Sequence, residues 1–111
     1  MISKNVAKHY KWGNDCDGWL LVNVEDQSII HEKMPPNTYE TRHYHKVARQ
    51  FFFVLEGEME IEMDGMKTIL QKHEGIEVMP MVPHQVFNKT SSNLEFLVIS
   101  KPSTRLDRNE V

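Results

Sequence analysis

The chain has 111 residues, 40% hydrophobic and 26% charged, values of an ordinary single globular domain that exclude a disordered, collagen-like or coiled-coil chain. Its formal charge is -3 with lysines and arginines scattered among acids, so there is no basic stripe to track a phosphate backbone, which argues against a nucleic-acid partner. One cysteine, Cys16, closes no internal disulfide, the opening "MISKNVAKHYKWGND" lacks a secretory apolar stretch, and the longest apolar run, Phe51 to Leu55, is far short of the about 20 residues that span a bilayer; a cytoplasmic chain without a membrane segment is expected.

Residues 1–18 run into Trp19 through "KHYKWGNDCDGW", which sets two tryptophans among turn formers and reads as a lead-in loop packed on the rest of the domain. From residue 19 to residue 100 a period of two dominates. Candidate strands run Trp19 to Val24, Ser28 to Met34, Tyr39 to His45 and Gln50 to Leu55, each bounded by turn formers. Met59, Ile61 and Met63 then alternate with Glu58, Glu60 and Glu62, and Asp64-Gly65 supplies the positive φ of a two-residue hairpin turn into Met66 to Gln71. Ile76 to Met79, His84 to Phe87 and Leu94 to Ser100 complete the set. The polar tail, residues 101–111, is expected to fray. No stretch carries a capped helical spacing, so the pattern predicts an all-β sandwich or barrel in one domain spanning 1–111.

The segment Phe51 to Leu55 is apolar on both faces, although a strand of a small barrel should show one side to water. Something must cover Phe51, Phe53 and Leu55: neighbouring segments, or a second copy of the chain. A homodimer is the expectation.

On a strand, side chains two apart share a face, so His43 and His45 point together, with Thr41 and Tyr39 assigned to the same side. Beyond a four-residue connection, Gln50 shares its face with Phe52 and Val54. His84 follows Pro83 at the start of another strand, where proline's missing donor harms no ladder. Three imidazoles and an amide oxygen, if convergent, suit a first-row divalent ion with room left for water or substrate. The bland alternative is a set of strand histidines on the surface that bind nothing.

These residues resemble the two motifs of the cupin superfamily. The first reads here Asn37, His43, His45, Gln50, Gly57, and the second Gly75, Pro80, His84, Asn88. Asn37 stands where the family has glycine, the second motif is shorter and lacks its central glycine, and Gln50 replaces the usual glutamate. The resemblance implies a jelly-roll barrel, a double-stranded β-helix, holding a divalent transition metal (Zn, Ni, Mn or Fe) at His43, His45, Gln50 and His84. A neutral amide in place of a carboxylate leaves the ion's full charge for polarising a bound oxygen. Cupins with a similar histidine and glutamine pattern include small proteins that rearrange unsaturated uronic acids, so isomerase, epimerase or lyase action on a small polar molecule such as a sugar acid is the first functional expectation. A non-haem iron dioxygenase and a non-catalytic small-molecule-binding barrel are the alternatives. Tyr39 and Glu32, both assigned by parity to the lumen, are the candidate acid and base.

Overall fold

The computed structural model describes residues 1–111 and contains strands but no helix, and therefore no helix able to cross a membrane. Twelve strands follow one another: β1 (Lys8–Trp12), β2 (Cys16–Val24), β3 (Gln27–Met34), β4 (Thr38–Tyr39), β5 (His43–Tyr44), β6 (Arg49–Glu56), β7 (Met59–Met63), β8 (Met66–Leu70), β9 (Gly75–Val78), β10 (His84–Asn88), β11 (Leu94–Lys101) and β12 (Asn109–Glu110). They form two sheets, ordered β1-β2-β3-β11-β6-β9 and β12-β5-β10-β7-β8, with β4 also paired to β10. All pairings are antiparallel, as expected for a jelly roll.

The alternation written in the sequence decides which side chains enter the space between the sheets. On β6, Gln50, Phe52 and Val54 are buried while Arg49 and Phe51 face out. On β7, Met59 and Ile61 are fully enclosed, and on β11 Leu94, Phe96, Val98 and Ser100 all point inward. The apolar members of these sets, with Met34, Leu70, Val78 and Val86, make one core. Each fully buried Phe or Leu contributes about 1.5–3 kcal/mol relative to exposure. Asp64 and Gly65 turn the β7–β8 hairpin with φ of 51° and 90°.

Two ends of the chain differ from expectation. The lead-in is not a loop: Lys8–Trp12 and Cys16–Val24 form a hairpin that extends the first sheet, with Trp12 opposite Cys16 across Gly13-Asn14-Asp15. Gly13 and Asp15 both take positive φ there, which a glycine and an aspartate accept more readily than most residues. Nor does the tail fray, because Asn109 and Glu110 pair with Tyr44 and His43 as β12.

The motif residues around the site have definite backbone work. Asn37 sits at φ 59°, so asparagine does take the left-handed conformation for which the family uses glycine. Gly57 has φ 84°, and a Cβ there would come within 2.4 Å of the Asn93 carbonyl oxygen. Gly57→Ala is accordingly expected to lower stability by at least ~2 kcal/mol, read as a fall in the urea midpoint at unchanged slope. Buried Asn88 ties three segments together, its amide donating to the carbonyls of Met34, Pro35 and Ser92 at 2.9, 3.1 and 2.8 Å.

The outer face of the first sheet carries two rows across its strands: an apolar one of Val22, Ile29, Ile99 and Phe51, and a mixed one of Trp19, His31, Leu97 and Phe53. The chain covers part of this face itself. The His73 ring stacks on Phe53 at 6.2 Å, and the Phe51 ring lies over Gly75. Phe51 still remains 37% exposed.

Candidate metal centre

Three strand segments bring the imidazoles and the amide together. His43 opens β5 directly opposite His84 of β10, and His45 follows one residue beyond β5, on the same side as His43. All three rings are buried, with ring centroids 4.5 to 5.5 Å apart, and one nitrogen of each lies within 4.8 Å of the others. The triad could hold a metal ion. Gln50 enters from β6, paired to Ser100 of β11.

Backbone carbonyls set the tautomers. The Nδ1 atoms of His43 and His84 lie 2.8 and 3.0 Å from the carbonyls of Thr41 and Val82, and Nδ1 of His45 meets the carbonyl of Asp107. A carbonyl can only accept, so each Nδ1 carries the proton and each Nε2 keeps a free lone pair. Burial is the chief cause holding His43 down to about 3 and His84 to about 4, and it lowers His45 as well. The imidazoles are therefore neutral at ordinary pH, the protonation state a metal requires.

Polar atoms without partners mark the centre. Nε2 of His45, Nε2 of His84 and Oε1 of Gln50 are buried and hydrogen-bonded to nothing in the chain. The Gln50 amide is fixed the same way as the histidines: its Nε2 donates to Ser100 Oγ at 3.0 Å, which turns the oxygen the other way. Leaving a buried polar atom unsatisfied costs about 1–3 kcal/mol, so this cluster makes physical sense around a bound cation. The donor set of three neutral nitrogens and one neutral oxygen fits a first-row divalent ion.

The chamber has a volume of about 130 Å³ and is lined by His43, His45, Gln50, Phe52, Ser100 and, toward its mouth, Glu32 and Glu40. Tyr10, Glu32, Glu40 and Arg108 also line an outer cleft of about 280 Å³, so these four residues form the passage between the two. Burial, more than any other cause, raises the Glu32 carboxyl to about 8 and the Glu40 carboxyl to about 7. The largest cleft on the molecule, about 360 Å³ beside Asn23 and Arg105, is a separate surface groove away from the imidazoles.

Glu32 thus lines the chamber, where parity places it, whereas Tyr39 does not. Tyr39 is 63% exposed, 6.2 Å from the Phe87 ring, and lines only the outer cleft. The physical reason is a break in the strand. Residues 40–42 belong to no ladder, so the alternation that buries His43 and His45 does not carry back to Tyr39, and Thr38 and Glu40 turn inward instead. Glu40 is the carboxyl that counting by twos misses. The tail residues are the other omission: Asp107 holds His45, and Arg108 faces the passage.

A sequence model described as "Cupin domain" matches residues 30–100. The chain belongs to the cupin family. No curated protein matches this cupin by sequence. Among solved structures it is similar to KdgF from a Halomonas species, at 14% identity and a TM-score of 0.84 over 93% of each chain. A protein of Thermotoga maritima described as a predicted oxalate decarboxylase superposes with a TM-score of 0.85 at 15% identity, over 93% of this chain and 99% of the other. A cupin sugar phosphate isomerase from Silicibacter pomeroyi gives 0.79 at 16%, over 93% of this chain and 76% of that one. At such identities the likeness is one of fold, and it bears out the jelly-roll architecture.

Proposed function

We propose that this cupin is a metal-dependent enzyme that isomerises, epimerises or eliminates from a small polar metabolite such as a sugar acid, without net redox change. In this reading Nε2 of His43, His45 and His84 and Oε1 of Gln50 hold a divalent transition metal (Zn, Ni, Mn or Fe). When bound, the ion polarises a substrate oxygen as a Lewis acid. The single observation that carries the reading is the meeting of unpartnered ligand atoms with two carboxyls tuned near neutrality in one chamber.

The chain's own residues would move the protons. A carboxyl near 7 gives and takes a proton at neutral pH with little penalty either way, and Glu40 and Glu32 stand at the chamber mouth beside any substrate that enters. Glu40 is also fixed in place, since its Oε2 accepts from the Val86 amide at 3.0 Å. Phe52 and Val98 supply the apolar wall that keeps bulk water from the reacting atoms. The similarity to a sugar phosphate isomerase and to KdgF is compatible with this chemistry and assigns no substrate.

Turnover of a panel of aldonic and uronic acids, followed by NMR in strictly anaerobic buffer, tests the reading. Substrate rearrangement without oxygen, abolished in Glu40→Gln, is the expected result. Consumption only in the presence of oxygen would instead identify a dioxygenase. Binding with no conversion of any acid, aerobic or anaerobic, would make the barrel a carrier.

We also infer that the cupin works as a homodimer through the outer face of its first sheet, because Phe51 stays 37% exposed there on an apolar row with Ile99 and Ile29. Light scattering is expected to give twice the 13.1 kDa chain mass, and Phe51→Glu to give the chain mass itself. A monomeric parent protein would contradict this.

A further inference from the structure

The segment from Thr104 to Glu110 brings two residues to the chamber that metal binding does not use, Thr104 and the charged Arg108. The backbone that carries Arg108 is fixed from both sides. Ahead of it, the Asp107 carboxylate accepts from three successive backbone amides, those of Lys46, Val47 and Ala48, at 2.7, 2.9 and 2.9 Å, while the Asp107 carbonyl receives His45. Behind it, Asn109 and Glu110 pair with Tyr44 and His43, and the Val111 amide donates to the Arg42 carbonyl at 3.1 Å. The strap is thus sewn to the same β5 segment that carries two of the imidazoles, and Arg108 stands at the passage between cleft and chamber.

This guanidinium has donors and no acceptor. It makes no hydrogen bond within the chain, and its nearest carboxylate oxygen, Glu40 Oε1, lies 4.0 Å away, beyond hydrogen-bond reach. An arginine whose backbone is held this firmly, and whose one ion pair is this loose, keeps its donors available for an incoming anion. Its planar fork matches a carboxylate in two parallel hydrogen bonds, which neither a hydroxyl nor a carbonyl can reproduce.

We propose that Arg108 is the anion subsite of this cupin and receives the carboxylate of a small hydroxy acid whose hydroxyl end reaches into the chamber. Glu32 and Glu40, which line the same passage, then accept hydrogen bonds from the hydroxyls. The proposal rests on the reading of the chamber as a metal site acting on a sugar acid and adds to it the residue that receives the acid group. It also gives the strap a function: Asp107 is a positioning residue that holds both His45 and the backbone from which Arg108 projects.

Paired probes test this with the full chain loaded with Co²⁺. D-galacturonate is compared with D-galactose, and D-gluconate with sorbitol, by calorimetry and by the visible absorption of the cobalt ion. At least one acid should bind at least about tenfold more tightly than its neutral partner, and Arg108→Gln should abolish that preference while leaving Co²⁺ affinity within about threefold. Arg108→Lys, which keeps the charge but loses the fork, should fall between. A parent protein that prefers neither acid, or an Arg108→Gln variant that keeps the preference, would overturn the proposal. If the parent fails to bind Co²⁺ the metal reading itself is wrong, and the same probe pairs on metal-free protein then decide Arg108 alone.

Discussion

His84→Leu should leave the metal-free protein within about 1 kcal/mol of the parent yet strip it of all stabilisation by metal. His84 is wholly buried and its Nε2 has no partner, so replacing the ring with an apolar side chain removes an orphaned atom while freeing only the Val82 carbonyl. The gain and loss are of similar size. In excess Zn²⁺ the comparison changes, because a ligand that binds only the folded state at a thousandfold above its dissociation constant adds about 4 kcal/mol. Thermal melts with and without Zn²⁺ should show a large rise in Tm for the parent and a negligible one for His84→Leu. Should the two proteins gain equally, His84 is no ligand.

Metal-free protein should lose stability on both sides of a plateau between about pH 4.5 and 6.5. On the acid side His43 and His84 are held down to about 3 and about 4 by burial, so as pH falls below 6.5 the unfolded chain takes up protons that the folded chain refuses. Stability due to these groups is present above 6.5 and lost as pH falls through 4 and 3. The lowered carboxyls of Asp17, Glu62, Glu95 and Asp107 add to the acid loss, since they too keep their protons off longer when folded. On the alkaline side the sign reverses. Glu32 and Glu40 are raised to about 8 and about 7, so the folded chain holds protons the unfolded chain has released; their contribution is present below 4.5 and lost as pH rises through 7 and 8. Between 4.5 and 6.5 the two trends oppose each other. At pH 9 the loss should amount to a few kcal/mol, given about 1.4 kcal/mol for each tenfold difference in proton affinity between folded and unfolded chain, and some relief by solvent. Urea unfolding from pH 3 to 9 checks this, and Glu32→Gln should flatten the alkaline limb. A limb unchanged in that variant would mean the carboxyl is ordinary in the fold.

Local alternation makes much of the fold legible. The inward set Gln50, Phe52 and Val54, the inward methionine and isoleucine of β7, and the Asp64-Gly65 turn all follow from a period of two and from which residues tolerate positive φ. The pairing of His43 with His84 is not contained in local pattern, because strand register across 41 positions is a tertiary fact; the motif resemblance supplies it. Tyr39 departs for a different reason. Parity transfers along a strand only while the strand is continuous, and "ETR" interrupts it between Tyr39 and His43. The first hairpin is obscured because β1 is mostly exposed and alternates weakly, although Gly13-Asn14-Asp15 between Trp12 and Cys16 is a turn signal that could have revealed it. Asp107 and Arg108 leave no local trace at all: the partners of Asp107 lie about sixty residues away, and a polar tail looks the same whether it frays or docks.

That docking orients His45, while carbonyls two residues upstream orient His43 and His84. Every imidazole is oriented by a backbone carbonyl rather than by a carboxylate, and the fourth donor is an amide oriented by a serine. Acidic side chains are thereby left free at the mouth, where they can face a substrate instead of the ion.

Long-range proton–nitrogen NMR of the imidazole rings tests the arrangement most directly. In metal-free protein the rings of His43, His45 and His84 should all appear as neutral tautomers protonated at Nδ1, and one equivalent of Zn²⁺ should shift all three Nε2 resonances together. Rings protonated at Nε2, or resonances that ignore the added ion, would contradict the account.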